Sequence, residues 1–125
     1  MFVVTAVLEV GAGVALMGAP SVTVALLLGS PLDTSTSVAL GRLAGAALLA
    51  LGVANWLARH DQASRAVRGL VGAMVVYNLG AAVVLGTAGL RSPAASAALW
   101  LTVVLHAAMT VWCIASLSGA TPASK

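Results

Sequence analysis

Five polar side chains stand in stretches otherwise built mainly from Ala, Val, Leu and Gly: Glu9, Asn55, Tyr77, Asn78 and His106. Glu9 is the residue with the clearest chemistry. A helix that starts near residue 2 carries it about 10 Å along its axis. Lipid is a poor solvent for a carboxylate, so Glu9 has to face a partner, a cavity or water. There it can bind a proton or a cation, or serve as structural glue by hydrogen bonding to Asn55 or His106. Asn55 is the partner at matching depth. Tyr77, Asn78 and His106 lie nearer the middle of their stretches, where amides, a phenol and an imidazole can hold a ligand head group or tie helices together.

The remaining chemistry is sparse. Thr102, His106, Thr110 and Cys113 share one helical face, but His106 has no second His, Cys or acid one turn away. That spacing gives no metal or haem site, and His60 belongs to a charged loop far from His106 in depth. A single cysteine excludes an intrachain disulfide. There is no nucleophile elbow, phosphate loop, HExxH or CxxC, so no standard catalytic set, and no cofactor can be assigned.

The elements that position these residues follow from composition. In 125 residues, 61% are hydrophobic and 7% charged, and the mean hydropathy is +1.08. Such a chain is not an ordinary soluble domain. Its apolar stretches reach the ~20 residues that cross a bilayer. Four spans are predicted, at 2–28, 38–58, 67–90 and 94–117, with a polar tail over 118–125. Caps are expected at Ser35, Thr36 or Ser37 for the second span and at Asp61 for the third. Ser92, followed by Pro93, is the expected start of the fourth. The N-terminus lacks a basic leader, so the first stretch reads as a retained helix. It contains Gly18 and Pro20, which predict a kink, and Glu9, Gly13, Leu16 and Pro20 share one face.

Short connections predict an all-α, transmembrane four-helix bundle running up-down-up-down as a single domain. Gly41, Gly45 and Gly52 line one face of the second helix, and Gly69 with Ala73 offers a small face on the third, both suited to close helix contact. The formal charge of +3 comes largely from Arg59, Arg65 and Arg68, so it reads as topology and not as nucleic-acid binding. Both termini and that loop are then cytoplasmic. Trp56 and Trp112 fall near the same interface, and Arg42 is placed to snorkel to the opposite one.

Two resemblances bear on these residues. Leu8-Glu9 with Gly13 and Pro20, residues 41–45 and 51–56, Tyr77-Asn78 and His106 together resemble small four-helix bacterial membrane proteins of uncharacterised function. The segment 6–11 with Met17 is similar to the first helix of small multidrug resistance transporters. That likeness implies a proton-coupled exchange role for Glu9. The chain departs from it in lacking that family's Trp-and-Gly signature in the third helix and its proline in the second.

Three functions are therefore expected to compete. One is binding or moving a small or lipophilic ligand in an intramembrane pocket around Glu9, Asn55, Tyr77, Asn78 and His106. The second is proton-coupled export with Glu9 as the exchange site. The third is a structural subunit of a membrane complex. All three place the chain in the lipid bilayer of a bacterial inner membrane, as a homo-oligomer or part of a larger assembly.

Overall fold

The computed structural model describes residues 1–61, 64–92 and 95–118. Those residues are all-helical: α1 (Phe2–Gly18), α2 (Pro20–Leu28), α3 (Ser35–Leu57), a single 3₁₀ turn (Ala58–His60), α4 (Arg65–Arg91) and α5 (Ala97–Ser118). Helices α3, α4 and α5 are each long and apolar enough to cross a membrane.

The first stretch is not one continuous helix. It breaks at Ala19, and α2 leaves α1 at an angle of 116°. Proline explains the break, because it lacks an N–H and its ring collides with the carbonyl one turn back. Pro20 therefore stops α1 and starts α2 from its first position. The Thr23 hydroxyl donates to the carbonyls of Ala15 (3.1 Å) and Ala19 (2.9 Å), so the bend does not leave these groups bare. The seventeen residues of α1 extend about 25 Å. At the other end of α2, Gly29 takes the left-handed conformation at φ 80°, which glycine adopts without strain.

Two helix pairs make the extensive contacts, α1 with α3 and α4 with α5. Glycine sets the first pair. A methyl group at Gly13 would lie 2.8 Å from the Gly45 carbonyl oxygen, and one at Gly45 would lie 2.9 Å from that of Gly13. A methyl at Gly52 would meet Val10 and the Ala6 carbonyl. Gly13 opposite Gly45, and Val10 opposite Gly52, make the pair antiparallel. Gly41 packs under Pro20 and Leu32. On α4, by contrast, Gly69 faces open space, so the small face expected there seats no helix among the described residues.

α2 links the pairs by touching α1, α3 and α5. Ser96 Oγ, just before α5, donates at 2.9 Å to the terminal carbonyls Leu26 and Leu27 of α2. It also accepts from Leu99 N at 3.1 Å, so Ser96 and not Ser92 caps α5. Ser92 instead ends α4, and Pro93 lies outside the described residues. The other caps move similarly. Thr34 forms a reciprocal capping box with Ser37 at the start of α3, and Ser64, not Asp61, caps α4. Side chains close the end away from α2, where Val71, Met74 and Cys113 pack with Met1, Phe2 and Leu51.

Candidate functional site

Glu9 is buried, at 5% exposure, on the face of α1 that meets α3. It lies one turn before Gly13, so the glycine contact that draws the helices together also brings Asn55 within reach. Asn55 Nδ2 donates to Glu9 Oε2 at 3.1 Å. It also donates to its own helix at Leu51 O (2.9 Å) and lies 3.3 Å from Met74 Sδ on α4. Glu9 Oε1 and Asn55 Oδ1 remain buried with no hydrogen-bond partner.

A second polar pair joins α4 to α5. Asn78 Nδ2 donates to Met74 O at 2.8 Å, which fixes the amide. Asn78 Oδ1 then faces His106 Nδ1 at 2.8 Å. An amide oxygen can only accept, so Nδ1 carries the proton. Tyr77 sits edge-on to the His106 ring, with centroids 5.6 Å apart. Met74 connects the two pairs: its carbonyl holds Asn78 and its sulfur meets Asn55.

Between the pairs lies a cavity of about 350 Å³. Glu9, Tyr77, Asn78 and His106 form its polar wall, with Thr5, Thr23 and Thr102; Leu8, Leu27, Leu48, Leu105 and Met109 supply much of the rest. Leu8, Leu26 and Leu105 are exposed at its edge, so the mouth opens between α1, α2 and α5. A further space of about 610 Å³ on the α3–α4 side shares Ala12, Leu48, Tyr77 and His106 with it.

Four of the five residues singled out from sequence thus meet in one space, and the fifth, Asn55, stands behind Glu9 and holds it. The contact expected between Glu9 and Asn55 is present. Sequence reading missed Met74, although its position one turn before Asn78 was a usable signal, and missed Thr5 and Thr23. No group of three or more His, Cys, Asp or Glu that could hold a metal occurs among the described residues. Cys113 is buried, with Met1 Sδ 3.7 Å away. Arg59 stacks over Trp56 at 4.1 Å and donates to the Trp56 carbonyl. That cation and aromatic ring form a compact pair at the end of α3, away from the cavity. No family model, curated protein or solved structure matches the chain.

Proposed function

We propose that the chain binds or moves a small or lipophilic ligand within the membrane, in the cavity around Glu9 and His106. In this reading α1, α3, α4 and α5 are the four spans of an up-down-up-down bundle in a bacterial inner membrane. Both termini and the Arg59 to Arg68 loop are cytoplasmic, and α2 lies at the opposite face. The observation that carries the proposal is the buried, unpartnered Glu9 Oε1 in the wall of a cavity whose size falls in the ~300–1,000 Å³ range of ligand sites. An intramembrane ionisable group is costly to keep, by about 2.5–3.5 kcal/mol on insertion scales, and function is the usual reason for it.

Native mass spectrometry of the protein released from nanodiscs tests this. Wild type should retain a small molecule from the cell membrane, and Ala12→Trp, which fills the space from α1, should lose it. Equal retention by both, or retention by neither, would refute the reading. A second reading, a structural subunit of an assembly, draws support from α4, where Gly69, Gly72 and Gly80 are open to close approach. A proton-coupled exporter would use the same Glu9, with two copies facing each other across an antiparallel dimer.

A further inference from the structure

The polar wall of the cavity is one-sided in its hydrogen bonding. Each threonine that lines it spends its proton on a backbone carbonyl: Thr5 on Met1 (3.2 Å), Thr23 on Ala15 and Ala19, and Thr102 on Ala98 (2.8 Å). Asn78 spends its amide on Met74. His106 spends Nδ1–H on Asn78, which leaves Nε2 of the neutral ring as a lone pair. Glu9 lines the space, and its buried Oε1 has no partner. Among the described residues of the wall, the Tyr77 hydroxyl alone keeps an uncommitted proton, and no Lys or Arg lines the space. A guest head group therefore meets mainly acceptors, with the Tyr77 hydroxyl as the one free donor among the described residues, while most of the lining is aliphatic.

We propose that the cavity selects lipophilic molecules whose polar end is a hydrogen-bond donor, an ammonium or a hydroxyl, and rejects anionic heads. The proposal rests on the ligand-binding reading above and specifies its chemistry. Glu9 Oε1 and His106 Nε2 receive the head, and the aliphatic wall holds the tail. An anion would face Glu9 with no cation to offset it, and a buried acceptor left without a donor costs affinity.

Four tail-matched probes test this in nanodiscs: decylamine, decanol, decanoate and decyltrimethylammonium, which is cationic but has no N–H. Binding is read as probe retained in native mass spectra, and the head-group contact as the His106 Nε2 shift in ¹⁵N-histidine spectra. Decylamine or decanol should bind at least about tenfold tighter than decanoate and decyltrimethylammonium. Decylamine alone would identify a charged donor on Glu9, and equal binding of decanol would identify a neutral donor on His106. Decanoate or decyltrimethylammonium binding as tightly as both donors would overturn the proposal while leaving the cavity reading intact. Binding of none of the four above the level of Ala12→Trp would overturn both. Glu9→Gln adds a reversal. Its carbonyl should keep the Asn55 bond and turn the amide toward the cavity, so decylamine should weaken and decanoate should strengthen. If Glu9→Gln does not fold, the wild-type series decides the matter.

Discussion

At the scale of the residue, Glu9 and Asn55 form a pair whose worth lies in being complete. Asn55 is fully buried, and its amide is divided among Glu9, Leu51 and Met74. Removing one member strands the other in an apolar setting, which costs about 1–3 kcal/mol. Asn55→Ala should therefore lower unfolding free energy by that amount, as measured by reversible unfolding in detergent micelles. Replacing both members by apolar residues leaves nothing stranded. Glu9→Leu with Asn55→Leu should thus be less destabilising than the sum of the single changes, with a coupling of about 0.5–3 kcal/mol. Strict additivity would show that the 3.1 Å bond is incidental.

At the scale of the element, the α1–α3 contact depends on the absence of side chains. A substituent at Gly45 meets the Gly13 carbonyl and the Met17 backbone within 2.9 Å. Backbone cannot yield as a flexible side chain can, so Gly45→Leu should cost about 1–3 kcal/mol or more and lower the thermal midpoint. Gly69→Leu is the control: with nothing within 4 Å, it should leave a monomer's midpoint unchanged. A loss there would mean that α4 has an external partner. The strap α2 has its own test. Ser96→Ala removes two bonds to its terminal carbonyls and should cost about 1 kcal/mol. Greater protease sensitivity near residues 26–34 would accompany it.

At the scale of the whole molecule, two tightly packed pairs meet through side chains at one end and through α2 at the other. The cavity lies between those closures. The proposed orientation in the membrane rests on the arginines near the α3–α4 connection. His60 and Asp33 are exposed at opposite ends of α3, and the one native thiol is buried. With His60→Cys and Asp33→Cys in intact cells, an impermeant maleimide should label position 33 and not position 60. Labelling at 60 alone would invert the molecule.

Composition determined the helical class because 61% hydrophobic content leaves a backbone in lipid little choice but to bond within itself. Three long helices are legible as long apolar runs, and Gly45 and Gly52 are legible as a contact face from their spacing. The Glu9–Asn55 bond was accessible through depth alone. Pro20 and Gly18 signalled a kink, but its size came from elsewhere. Pro20 seats on Gly41, and Ser96, seventy residues from Leu26, holds the end of the bent segment. Cap positions moved for a similar reason, since Ser96 is engaged by the end of α2. The cavity was not legible. It exists because glycines draw α1 against α3 while α4 and α5 pack on each other, and the space between two well-packed pairs is a property of how they meet, which no local pattern encodes.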